Sequence, residues 1–220
     1  MQVALLGGTG DIGEGLALRL ARDTDHEVVV GSRKAEKADN AATEYEEALA
    51  DHGVEAAVGA AENPEAAAGA DVVVLSVPAY HLADTVESVA DDLSGILVSP
   101  AVGLQRDEAG LHYNPPGVGS VTALAAQAAP DDIPVVGAYH NLAAGRLADL
   151  GADLDWDVPV VADDEDAKAT VVDLTDELAG LRALDAGPLA NATEVESLTP
   201  LLINLAANNE GMHDLGAKFW

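Results

Sequence analysis

Cysteine is absent, which excludes disulfides, thiolate metal sites and cysteine nucleophiles. Cations are nearly as scarce: 10 Lys and Arg stand against 39 Asp and Glu, for a formal net charge of −29. That charge repels phosphate, so neither nucleic acid nor an anionic membrane surface is an expected partner. The longest apolar stretch, around "VVVLSVP", is far shorter than the roughly 20 residues that cross a bilayer. The opening "MQVALLGGTG" has no basic region of a secretory leader, so a soluble, cytoplasmic protein is expected. Several catalytic signatures are also missing: Tyr-x-x-x-Lys, His-Glu-x-x-His, Gly-x-Ser-x-Gly, and a phosphate loop with its lysine. No spacing among His112, His213 and the other histidines resembles a metal site.

Acidity spread along the whole chain fits a cytoplasm of very high salt, where the Debye length shrinks to about 3 Å at molar salt. A halophilic source is expected, the alternative being an acidic protein of ordinary salt.

What is present reads as α/β. Apolar residues make up 49% of the chain and fall in regularly spaced runs, which excludes a disordered chain. Short strand-type runs ("QVALL", "HEVVVGS", "DVVVLSVP", "GILVSP", "PVVGAYH") alternate with segments of helical spacing. That rhythm predicts a Rossmann-type doubly wound, mainly parallel sheet. Residues 102–119 read as a Gly- and Pro-rich loop. Residues 1–155 form the expected main domain. Residues 156–220 continue the rhythm as a small C-terminal unit, whose last helix is expected to run through "ATEVESLTPLLINLAANN".

The turn "GGTGDIG" carries Gly-x-Gly-x-x-Gly at Gly8, Gly10 and Gly13, between a predicted strand and a predicted helix. In a dinucleotide fold the first glycine makes the tight turn, the second admits a pyrophosphate, and the third lets helix and strand pack. The helix N-terminus then offers free N–H groups to the diphosphate. The bland alternative is a glycine turn without a ligand.

A basic island, Arg33, Lys34 and Lys37, interrupts the acidity. Arg33 lies about 20 residues beyond Gly13, where an NAD-binding protein carries a carboxylate for the ribose 2′-hydroxyl. Here the strand ends Gly31-Ser32-Arg33, so a 2′-phosphate would meet a guanidinium fork and a hydroxyl, which points to NADP. Ordinary surface cations are the competing reading, but cations at a helix start oppose its dipole.

Read in order, "VALLGGTGDIG", "VVGSR", "WDVPV", "LDAGPL" and "VESLTPLLINL" resemble the coenzyme F420-dependent NADP reductases, archaeal and actinobacterial oxidoreductases that pass hydride between NADP(H) and a deazaflavin. The resemblance extends to the C-terminal "LGAKFW". It implies that Thr9, Asp11 and Ile12 line the diphosphate turn and that Ser32, Arg33 and Lys37 hold the 2′-phosphate. It further implies that Ser76, Val77 and Pro78, with residues 99–102 including Ala101, lie beside the nicotinamide. Tyr139 to Ala144, including His140 and Ala143, and the 195–212 region would wall the deazaflavin site. NADP(H) and F420 are then the expected cofactor and co-substrate.

Hydride transfer between two stacked rings requires no nucleophile, metal or acid–base pair from the protein; it requires the rings held about 3–3.5 Å apart. His140 is the one titrating side chain expected near them, and it has two readings: a ring contact, or a structural role at a strand end. The stripe Leu198, Leu201, Leu202 and Leu205 reads as core or as a homodimer interface, in preference to a cofactor box. Two other functions compete: an NADP-dependent imine or ketone reductase, for whose usual large helical second domain the chain after 155 is too short, and a non-catalytic NADPH sensor.

Overall fold

The computed structural model describes residues 1–220. The first half is the expected alternation. It runs β1 (Gln2–Leu6), α1 (Asp11–Asp23), β2 (Glu27–Ser32), α2 (Ala35–Asp51), β3 (Val58–Glu62), α3 (Asn63–Ala67), β4 (Val72–Leu75), α4 (Leu82–Val89) and β5 (Ile96–Ser99). It continues with β6 (Leu104–Asp107), β7 (Gly110–Tyr113), α5 (Val121–Ala128), β8 (Val135–Gly137) and α6 (Ala144–Ala148). The chain ends with β9 (Trp156–Ala162), α7 (Glu165–Asp176), β10 (Leu181–Asp185), α8 (Ala192–Glu196) and α9 (Leu198–Asn208).

One 8-stranded sheet has the order β10-β9-β8-β5-β4-β1-β2-β3. All neighbours are parallel except β8 and β9, so β9 and β10 run against the rest. The central strands are apolar throughout because helices cover both faces. A core of 33 buried residues forms under α1, α2 and α7, including Leu16, Leu20, Tyr45, Leu49, Val171 and Leu174. A second of 17, with Ala66, Leu82, Val86, Val121 and Ala125, forms under α3, α4 and α5. Each buried leucine contributes roughly 1.5–3 kcal/mol relative to exposure. Strand order reverses between β1 and β4, and ligands of such sheets bind at the strand C-termini there.

Arg19 is fully buried within α1. Its guanidinium donates to the carbonyls of Leu147 (2.8 Å), Arg146 (3.2 Å), Asp149 (2.6 Å) and Ala152 (3.1 Å). Gly15, one turn earlier, lies against Leu147, whose side chain would be 2.9 Å from an added Cβ. α1 and α6 are thereby locked together.

Two segments differ from expectation. The predicted loop over 102–119 contains the antiparallel β6–β7 hairpin. Its first strand, Leu104–Asp107, is exposed at every position, so no apolar alternation marked it. Asn204 of α9 holds the hairpin, accepting from the Leu111 N–H (3.0 Å) and donating to its carbonyl (2.6 Å). The last predicted helix is broken at Ser197 into α8 and α9. Pro200 lacks the N–H that would bond the Glu196 carbonyl, so one continuous helix cannot run through.

Candidate functional site

The turn after β1 divides its glycines differently from the sequence reading. The left-handed residue that makes the tight turn is Gly7 (φ 72°), not Gly8. A Cβ on Gly7 would stand 2.6 Å from Val77 Cγ1 and 2.8 Å from the Ser76 carbonyl, so this turn abuts the loop after β4. Gly8 is pressed against the Leu5 carbonyl, and Gly13 against the Gly8 backbone at 2.6 Å. Gly10 has open space around it, with no other atom nearer than the Gly7 carbonyl at 3.6 Å. It is the N-cap of α1 and supplies no side-chain cap, which leaves N–H groups of the first turn free for an anion. Thr9 and Asp11 are exposed on this turn, and Ile12 packs partly into the core. Glu14 is also here; burial first, then Asp11 and Glu44, push its carboxyl above the ordinary range.

β2 delivers Ser32, buried, to the same edge, with Arg33, Lys34 and Lys37 exposed beyond it. None of these three cations pairs with a carboxylate or hydrogen-bonds a carbonyl. Of the other seven, only Arg106 on the hairpin shares that state; Arg19, Arg22, Arg146, Lys168, Arg182 and Lys218 are all engaged. In a chain so rich in carboxylates, three adjacent unpaired cations form a local positive site. Asn63, at the start of α3, is buried beside Gly31, its Oδ1 2.9 Å from where a Gly31 Cβ would be.

Five buried side-chain polar atoms without a hydrogen-bond partner lie at the strand C-termini: Asn63 Oδ1, Ser76 Oγ, Ser99 Oγ, His140 Nδ1 and Asn141 Oδ1. Orphaned polar groups are costly, and their concentration along one edge marks where a polar ligand would satisfy them. Two clefts open there. One, about 480 Å³, is lined by Leu142, Ala143 and Gly145 on one side and by Thr199, Leu202 and His213 on the other. The second, about 470 Å³, lies between Pro78–Tyr80, Leu104 and Asn114 of the hairpin segment, and α5. Of the expected ring-side residues, Pro78 lines the second cleft and Ala143 the first. Val77 touches the Gly7 turn, and Ala101 is buried beneath.

His140 is buried and lines neither cleft itself, but its neighbours Asn141 and Leu142 and its carbonyl's partner Thr199 line the first; burial pulls its imidazole pKa down to about 3, so the ring is neutral. The preceding Tyr139 adopts φ 67°, a strained conformation for a residue with a side chain. The His140 carbonyl accepts from Thr199 Oγ1 at 2.6 Å, and its Nε2 lies 3.2 Å from Thr122 Oγ1. Thr122 in turn meets Glu196, which no sequence signal singled out. The leucine stripe is not core: Leu201 and Leu205 are exposed, and Leu202 lines the larger cleft.

A family profile described as "NADP oxidoreductase coenzyme F420-dependent" matches residues 2–103. An F420-dependent NADP reductase of Methanocaldococcus jannaschii is 41% identical over 93% of this chain and 92% of its own length. The chain belongs to the F420-dependent NADP reductase family. A second member, from Methanothermobacter thermautotrophicus, is 38% identical over 95% of this chain and 90% of its own length. The fold extends across the family: a crystal structure of a candidate F420-dependent NADP-reductase from Arthrobacter sp. fb24 matches 100% of this chain and 99% of its own, with TM-score 0.80 and 27% identity.

Proposed function

We infer that the protein is an oxidoreductase that transfers hydride between NADP(H) and coenzyme F420. The observation that carries this reading is the 41% and 38% identity to F420-dependent NADP reductases over 93% and 95% of the chain, on a chain whose unpaired cations gather at the end of β2. The residues fit an NADP. Gly8, Gly10 and Gly13 leave a backbone cradle at the α1 N-terminus, with Thr9, Asp11 and Ile12 around it; Ser32, Arg33 and Lys37 offer a hydroxyl and two cations to a 2′-phosphate. Ser76, Val77, Pro78 and Ala101 would flank the nicotinamide, and Ala143, with His140 behind it, the deazaflavin. When both cofactors are bound, the nicotinamide and deazaflavin rings supply the hydride chemistry. The protein's part is to orient the rings and exclude water.

Within this reading residues 1–155 carry NADP(H), and residues 156–220 complete the second-cofactor cleft through α9. Exposed Leu201, Leu205 and Trp220 support a homodimer, and the charge of −29 disfavours nucleic acid. No helix is long and apolar enough to cross a membrane; the cytoplasm is the proposed location.

The test is direct: purified protein at high salt, mixed with NADPH and oxidised F420, should bleach the deazaflavin absorbance. NADPH oxidation by ketones or imines, with none by F420, would overturn the assignment. Tight NADPH binding without any turnover would instead indicate a sensor.

A further inference from the structure

Glu196 is completely buried and makes no salt bridge. Four donors converge on its carboxylate: Val121 N–H (3.0 Å), Thr122 N–H (2.9 Å), Tyr113 Oη (2.9 Å) and Thr122 Oγ1 (2.9 Å). Two of these are the leading N–H groups of α5, so the carboxylate also caps that helix.

A carboxylate taking four donors can only accept. The single proton of the Thr122 hydroxyl therefore points to Glu196, and toward His140 Nε2, 3.2 Å away, that oxygen can only accept. Nε2 must then carry the imidazole proton. A neutral imidazole has one N–H, so Nδ1 is left with a lone pair. That atom is buried and has no partner in the protein. The residue around it is fixed at both ends, by Thr199 on its carbonyl and by Thr122 on its ring.

We propose that Glu196 is a positioning residue that, through Thr122, holds His140 in its Nε2–H form, so that Nδ1 serves as the acceptor for an N–H group of a bound cofactor. The chemistry recognised is an amide-type N–H. Both the nicotinamide carboxamide and the deazaflavin ring offer one, and this role rests on the NADP(H)–F420 reading above. The arrangement excludes the opposite tautomer, whose Nδ1–H would repel the same donor.

Histidine-labelled protein without cofactors tests the tautomer first, by long-range proton–nitrogen NMR, with His140→Gln identifying the resonance. The Nε2–H form is expected in the wild type. Thr122→Val should release it to a mixture or to Nδ1–H, while Thr122→Ser should retain it. Glu196→Ala risks unfolding α5; the Thr122 pair leaves the bonds of Glu196 to the backbone and to Tyr113 in place. Adding NADP⁺ alone, then F420 alone, should move the Nδ1 resonance with one of them, which identifies the donor. In turnover, Thr122→Val should lower kcat about tenfold with little change in KM for NADP(H), and Thr122→Ser should restore it. An Nδ1–H wild type, no tautomer change in Thr122→Val, equal losses in both Thr122 variants, or an Nδ1 signal unmoved by either cofactor would each overturn the proposal. A wild type with the expected tautomer that passes no hydride to F420 would overturn the functional reading alone.

Discussion

The hydroxyl of Tyr45, on the buried face of α2, donates a 2.8 Å hydrogen bond to the carbonyl of Gly8 in the glycine turn. A helix that begins in the basic island thus reaches back to fasten the loop read as the diphosphate cradle. Burial pushes the phenol pKa upward, so the hydroxyl keeps its proton and remains a donor. Tyr45→Phe should cost about 1 kcal/mol of stability for one lost buried bond and raise KM for NADP(H) a few-fold. Denaturant unfolding and steady-state kinetics measure both; a variant unchanged in each would show that the bond is incidental.

Arg33→Ala should raise KM for NADP by roughly 10- to 100-fold, the loss expected of a charge-assisted contact, and leave any activity with NAD nearly unchanged. Only a 2′-phosphate contact makes that distinction. An equal loss with both cofactors would move Arg33 away from the phosphate.

Stability should rise with salt. With 39 carboxylates against 10 cations, self-repulsion falls as the Debye length drops from about 10 Å near 0.1 M to about 3 Å near 1 M. Each kcal/mol gained would appear as about 2–4 °C in Tm. A flat Tm across that range would refute the halophilic reading of the charge.

His140 sets a dependence on acid. Its folded pKa of about 3 lies below the ordinary 6.5, so the unfolded chain binds the extra proton between those values. The stability tied to a neutral ring is complete above about pH 6.5 and is lost as pH falls toward 3, by about 1.4 kcal/mol per unit. Wild-type stability should therefore fall more steeply than that of His140→Gln in this window. Parallel curves would mean that the imidazole charges freely in the folded protein.

Asp157, at the start of β9, anchors the C-terminal tail. Arg182 grips its two oxygens at 2.8 and 2.7 Å, and the Phe219 N–H adds a third bond at 2.6 Å. Arg182 above all, then Phe219 and Lys218, hold the carboxyl down at about 2 against the effect of burial. The clasp should therefore persist until pH falls below the ordinary 3.8 and fail as it nears 2. Asp157→Asn should free the tail at neutral pH and speed tryptic cleavage at Lys218 about tenfold or more. Unchanged cleavage would show that packing of the tail against Trp156 is sufficient.

The parallel sheet and its glycine turn were legible because both obey local rules: apolar runs for doubly covered strands, and glycines where Cβ atoms do not fit. The exposed, unpaired cation at Arg33 stood out as a departure from composition, and its role at a 2′-phosphate is a proposal. The β6–β7 hairpin was not, since its exposed strand carries no apolar period and Asn204, far along the chain, holds it. The Gly7 role was displaced by one residue because two consecutive glycines make the motif ambiguous in register. Glu196 was hidden among the many acids; only its burial and its four donors set it apart, and neither is a property of the sequence.

Arg19 joins the helix that opens at the glycine turn to the stretch that follows the cleft-lining Asn141–Gly145, and it does so by giving a charge to four peptide dipoles rather than to a carboxylate. A joint of that kind has no counter-ion to exchange and lies out of reach of dissolved electrolyte. While ionic strength alters every force on the acidic exterior, the spacing between α1 and α6 stays fixed. A strongly acidic protein can thus keep α1 and α6 in one arrangement whatever the salt around it.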